Sequence, residues 1–176
     1  MSGGNGNRYL PGKDAVLAAC RGFPLAENPV LDSACQLANV YESHTNLLLG
    51  VDDIIERERY HELRPIMDWA ELIDTVVYDR RARLVSSIDE WVEIVVPAAS
   101  PTAPMHVETV GNIIDRLALL TIRSYVAMAN APDAVARAVH AQLYIDAAAY
   151  GDLTRVLAAG LKRLPFNHRP AEIWPR

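Results

Sequence analysis

The chain is 176 residues long, 51% apolar and 22% charged, with a formal net charge of −5. That length fits one domain of ordinary size with a real core, and the balance is globular rather than disordered. The acidic balance, with no Lys/Arg block to neutralise phosphates, excludes a general binder of nucleic acid or of anionic membranes.

Lys162, Arg163, His168, Arg169 and Arg176 give the far end a local basic character, but they are spread over proline-containing chain and read as a solvated tail. Cys20 and Cys35 are too few for a disulfide framework and lack CxxC spacing, so buried, reduced thiols are expected. No charged start leads into an apolar leader core, and no apolar run approaches the ~18 residues of a spanning helix. The expected compartment is the cytoplasm.

Residues 1–12 are rich in Gly and Asn and are expected to be poorly ordered. A short helix follows over Asp14–Arg21, stopped by Gly22 and Pro24. The spacing then predicts a long helix over Pro29–Tyr60, with Val30, Ala34, Leu37, Tyr41, Leu48, Val51 and Ile55 on one stripe. Pro65 can open a second long helix that Pro97 ends, striped by Ile66, Trp69, Ile73, Val77, Leu84, Ile88, Trp91 and Val95. Residues 97–104 (PAASPTAP) are the clearest loop. A third long helix runs over Thr109–Ala129, with Val110, Ile114, Leu117, Thr121, Tyr125 and Met128 in register. A fourth covers Asp133–Ala159 and is capped by Gly160.

Strand signals are nearly absent. The fold expected is all-α: an antiparallel bundle of four long helices with a short N-terminal helix, one domain over 13–164 and a tail over 165–176. Helices near 30 residues span about 45 Å and leave apolar flank for a second subunit, so a homodimer is expected.

Polar side chains on or beside these stripes carry the functional reading, because burying an unpaired polar group costs roughly 1–3 kcal/mol. His44 falls between Tyr41 and Leu48 and should point inward, as a core histidine or as a general acid or base. Glu42, Asn46 and Asp53 run beside it, with Asp52 adjacent and Gly50 between. The stripe from Val77 to Leu84 needs an inward residue at 80 or 81, and both are arginine. One of them, taken as Arg81, either turns inward and requires an acidic partner or an anionic ligand, or snorkels along the bundle edge. Asp74 and Tyr78 share that flank. In the third long helix Glu108, Asn112 and Asp115 align on one face, with Thr109 as N-cap.

The segment Glu108–Leu117, E-T-V-G-N-I-I-D-R-L, resembles the E-T-P-G-x-x-I-D-R-L signature of an uncharacterised bacterial family, domain of unknown function 4254. Asn46 with Asp52-Asp53 is similar to that family's N-x-x-L-W-x-x-E-D block, and Arg81 with Ile88-Asp89 to its N-x-x-R-x-x-x-I-x-x-I-D block. The likeness spans about residues 29–164. Departures are Gly50 for the family's Trp, Asp52 for its Glu, Val110 for its Pro and Tyr78 for its Asn, and a usual histidine is Ser43 here, with His44 shifted by one. The resemblance implies a helical fold, company with genes for glycan or specialised-metabolite assembly, and one constellation of Asn46, Asp53, Arg81, Glu108, Asp115 and Arg116.

Other chemistries find little footing. A carboxylate-bridged di-metal bundle needs two E-x-x-H pairs, and only Glu58–His61 fits, in a charged helix end, so no metal is expected. No GxGxxG, Walker A, GxSxG or HExxH pattern is present. Two functions lead, ahead of a small-molecule sensor or carrier. One is a cofactor-independent isomerase, cyclase or lyase acting on a small anionic metabolite in a bacterial biosynthetic pathway. There His44, Glu108 and Asp115 move protons, and Asn46, Asp53, Tyr78, Arg81 and Arg116 hold substrate. The other is a non-catalytic helical partner or scaffold of a biosynthetic enzyme.

Overall fold

The computed structural model describes residues 9–24, 26–56 and 63–165, with side chains throughout except at residue 47 and residues 50–75. Among the described residues the chain forms five helices and no strand: α1 (Lys13–Cys20), α2 (Pro29–Glu56), α3 (Leu63–Val95), α4 (Val110–Asn130) and α5 (Asp133–Ala158). The all-α architecture with four long helices and a short first one is the one the periodicity predicts. The predicted ends agree to within two residues wherever they fall on described chain. Residues 57–60, at the predicted end of the first long helix, lie outside it, as do residues 1–8 and 166–176.

The boundaries follow from local chemistry. Asn28 accepts the Val30 N–H at 2.9 Å and caps α2, and Pro29 takes the first helical position, where its missing N–H is no loss. Thr109 caps α4 by accepting the Asn112 N–H. Gly160, at φ +66°, ends α5: its own N–H reaches the Leu157 carbonyl and that of Leu161 reaches Val156, closing the two orphan carbonyls of a Schellman turn. After α5, Arg163 pairs by backbone hydrogen bonds with Pro104 and His106, so the α3–α4 loop and the end of α5 are tied together.

The core is one cluster. It joins Val16 and Leu17 of α1, Val30, Leu31, Leu37 and Tyr41 of α2, Ile88 and Val92 of α3, Val110–Ile122 of α4, and Leu143, Tyr150 and Leu157 of α5. At about 1.5–3 kcal/mol per fully buried large side chain, this cluster is the main source of stability. The α4 stripe is buried from Val110 to Thr121, but Tyr125 and Met128, expected in register with it, are about half exposed. Leu48 on α2 is likewise half exposed. Among the described residues the backbone of α5 packs on α4 and α1 and comes close to neither α2 nor α3, which leaves these positions uncovered. Among the described residues the trough between α2 and α5 is filled where α1 lies in it.

That filling is local because α1 has 8 residues, about 12 Å, against about 39 Å for α5. It packs where α2 begins and α5 finishes. Lys13 lies against Gly151, the Tyr150 hydroxyl donates to the Pro11 carbonyl at 2.8 Å, and the Cys20 thiol faces the Ala34 carbonyl. Both thiols are free. Cys20 is buried, and that burial pushes its thiol up to about 12, which leaves it inert at neutral pH. Cys35 is only half-buried, against the expectation that both thiols are sealed. No helix of the described residues is long and apolar enough to cross a membrane.

Candidate functional site

Helix α4 starts by pressing on α3. Gly111 lies so close that a Cβ there would fall 2.5 Å from the Val85 carbonyl oxygen. The Asp89 carboxylate accepts the Gly111 N–H at 2.7 Å, with the Thr109 hydroxyl as a second donor nearby, so an α3 side chain closes the first turn of α4. A negative group suits a helix N-terminus. Burial nevertheless raises the Asp89 carboxyl above its ordinary value, against the lowering by those two donors.

One turn further along α4, Asp115 turns into the space between α2 and α3. Arg81 donates to it twice, Nε to Oδ1 at 3.1 Å and Nη2 to Oδ2 at 2.6 Å, and the Tyr41 hydroxyl donates to Oδ1 at 2.8 Å. The guanidinium also stands 5.3 Å from the centre of the Tyr41 ring. Three helices are thus joined at one carboxylate. Burial, reinforced by its bond to Asp115, raises the Tyr41 hydroxyl far above its ordinary value and keeps it a donor. The same carboxylate raises Arg81 further.

Arg116, next in sequence, leaves α4 on another side. It donates Nη1 to Glu108 at 2.8 Å and Nε to Asp146 of α5 at 2.9 Å, and Gln142 donates to the second oxygen of Asp146. The Arg116 guanidinium holds the Glu108 carboxyl below its ordinary value. Of the residues expected as a single constellation, Arg81 and Asp115 fall in one hydrogen-bonded group with Tyr41, and Glu108 and Arg116 in another with Asp146. The helical turn separates them, since consecutive side chains on a helix point about 100° apart.

Beyond Tyr41 and Arg81 the trough left open by α1 becomes a cleft of about 620 Å³. Its described walls are Tyr41, His44, Thr45 and Leu48 of α2, Arg81 of α3, Leu119, Arg123, Val126, Ala127 and Asn130 of α4, Ala131, and Val139 of α5. The charged side chains among them are arginines, and the rest are largely apolar. No acidic side chain lines it among the described residues; Asp115 stands behind Arg81.

The sequence matches, over residues 37–159, the family described as Protein of unknown function (DUF4254). The chain belongs to that family. No curated protein and no solved structure matches it. In this DUF4254 member each lettered position of the E-T-x-G-x-x-I-D-R-L segment has a physical task. Glu108 and Arg116 pair, Thr109 caps, Gly111 lets α3 approach, Asp115 ties α2 and α3 to α4, and Ile114 and Leu117 are fully buried.

The remaining expected site residues divide by side. His44 is half-buried and lines the cleft. Arg81, not the exposed Arg80, is the arginine that turns inward. Tyr78, one turn away, is 68% exposed, and Asn46 and Asn112 are exposed too. Asp53 lies on the last turns of α2, but its side chain and those of Asp52 and Asp74 lie outside the described set, as do Glu58 and His61. Sequence reasoning missed Tyr41 as a polar partner, Asp146, and Arg123. The signal for Arg123 was present: Leu119, Arg123, Val126 and Asn130 recur at i, i+4, i+7 and i+11, a second face of α4 beside the core stripe.

Proposed function

We propose that the protein is a small cofactor-independent enzyme that acts on a small anionic metabolite held in the α2–α5 cleft, in a bacterial pathway building a glycan or specialised metabolite. The observation that carries this is the cleft itself: several hundred Å³, apolar walls, arginines and no described acidic wall residue. In this reading His44, on the wall, moves the proton, as an imidazole can near neutral pH. Asp115 acts through the groups it holds, fixing Arg81 and Tyr41, and Glu108 belongs to the other side of α4. The pathway assignment rests on the family's resemblance alone.

The test begins with the purified protein. Denaturation followed by mass spectrometry should release a small anion, and wild-type protein should exchange a carbon-bound proton of that compound for deuterium in heavy water. His44→Gln should bind the compound but lose the exchange by about 100-fold or more. Exchange that survives in His44→Gln at the wild-type rate would sink the assignment.

A second reading, a non-catalytic partner of a biosynthetic enzyme, draws on a different observation. Arg81–Asp115 and Asp89–Gly111 each fasten α3 to α4, which is what a register-fixing network does.

The expected homodimer we assign to the outer face of α5. Ala134, Ala138, Ala141, Ile145 and Ala148 form a charge-free exposed stripe opposite Leu143, Ala147 and Tyr150, and Ile145 is 62% exposed. Antiparallel pairing about residue 143 sets Ala138 against Ala148 and Ala141 against Ile145. It also brings the Asp133–Arg137 end of one copy beside the Asp152–Arg155 end of the other. Ile145→Asp should convert a dimer to a monomer in size-exclusion chromatography with light scattering. A wild-type chain that is monomeric at micromolar concentration removes this proposal.

A further inference from the structure

The arginines of the cleft are not equivalent. Arg81 has two of its donors on Asp115 and its face against Tyr41, so its charge is already balanced. Arg123 has no hydrogen bond or ion pair among the described residues, although it lines the same cleft and its charge reaches the Tyr41 hydroxyl. Among the described residues an anion entering the cleft therefore meets one uncommitted guanidinium, set on the α4 face that carries Leu119 and Val126.

We propose that Arg123 is the residue that receives the ligand's negative charge and that the ligand class is an amphipathic monoanion, a carboxylate or sulfonate on an apolar body. Arg81 is a positioning residue: it holds Tyr41 and the wall in place and does not receive the anion. This rests on the reading of the cleft as a ligand site.

Three observations set the class. A single unbalanced cation neutralises a single charge, and burying further charge without a partner is costly. The far part of the cleft is lined by Ala127, Asn130 and Ala131 at the C-terminal end of α4, where helix carbonyls give a partial negative charge that repels a polyanion such as a diphosphate. The remaining walls, Leu48, Leu119, Val126 and Val139, fit an apolar body. The anionic group thus points to Arg123, and the body lies towards Val126 and Val139.

The test uses two fluorescent probes of similar shape on the full chain: 8-anilinonaphthalene-1-sulfonate, a monoanion, and N-phenyl-1-naphthylamine, which is neutral. Wild-type protein should bind both saturably. Arg123→Gln, at an exposed position, should keep its circular-dichroism spectrum and weaken the sulfonate by about tenfold or more, with the neutral probe changed less than about twofold. Arg123→Lys should fall between. Val139→Trp, which fills the cleft, should abolish both. If Arg123→Gln binds the sulfonate within about twofold of wild type while Val139→Trp still blocks it, the role of Arg123 is overturned and the cleft stands. If Val139→Trp leaves both probes bound, the cleft reading itself falls and the proposal with it.

Discussion

Asp115→Ala is expected to lower the stability of the protein by about 2–3 kcal/mol, measured by urea or thermal unfolding. Its carboxylate is 11% exposed and accepts three hydrogen bonds, so its removal strands the Tyr41 hydroxyl and the Arg81 guanidinium together. A fully buried pair broken on one side costs about 3–5 kcal/mol. The Arg81 side chain is 35% exposed and can recover some hydration, which places the figure below that range. For a chain of this length the loss corresponds to a fall in Tm of roughly 5–10 °C. Asp115→Asn keeps an acceptor for Tyr41 and should lose less. The pair Arg81→Met with Asp115→Leu should recover much of the loss, because no buried charge then lacks a partner. A loss below about 1 kcal/mol for Asp115→Ala would mean that the three-helix junction is not held at this carboxylate.

Gly111→Ala should destabilise by about 2–4 kcal/mol, although glycine to alanine inside a helix ordinarily stabilises by up to about 1 kcal/mol. The added methyl would stand 2.5 Å from the Val85 carbonyl oxygen and 3.0 Å from the Asp89 carboxyl carbon. The first of these is backbone, so relief requires α3 to move away from α4, and the 2.7 Å bond from the Gly111 N–H to Asp89 goes with it. Gly151→Ala is the internal comparison. The nearest atoms to its methyl belong to the flexible Lys13 chain, at 3.4 Å and beyond, and there the ordinary helix preference should win and stability rise by a few tenths of a kcal/mol or more. A neutral Gly111→Ala in the same urea titrations would refute the close approach.

The helices were legible because each rests on local chemistry. Thr109 at its cap, Gly160 at its turn and the Val110–Thr121 stripe all act within a few residues of themselves. The demand that Arg81 turn inward and find an acid was legible for the same reason: a stripe cannot accept a charge without a partner. Which acid it finds was not legible. Glu108 and Asp115 look alike on a helical wheel, yet Asp115 turns towards α2 and α3 while Arg116 captures Glu108 on the side of α5. That choice is made by how α5 sits on α4, a long-range property. Tyr41 illustrates the same limit: its ring satisfied the apolar stripe, and only the folded position of Asp115, 74 residues away, assigns a partner to its hydroxyl. The half-exposure of Leu48 and Met128 has that origin too, since periodicity records which face a helix can bury and not whether a neighbour arrives to cover it.

The open walls of the cleft set a length limit on any guest. The open stretch runs from Tyr41 to Leu48 on one wall, about 10 Å, and from Leu119 to Ala131 on the other, about 18 Å. A rigid body longer than that would protrude from the mouth, whatever its charge. The fold therefore measures its guest as well as attracting it, and the length of its two walls is the measure.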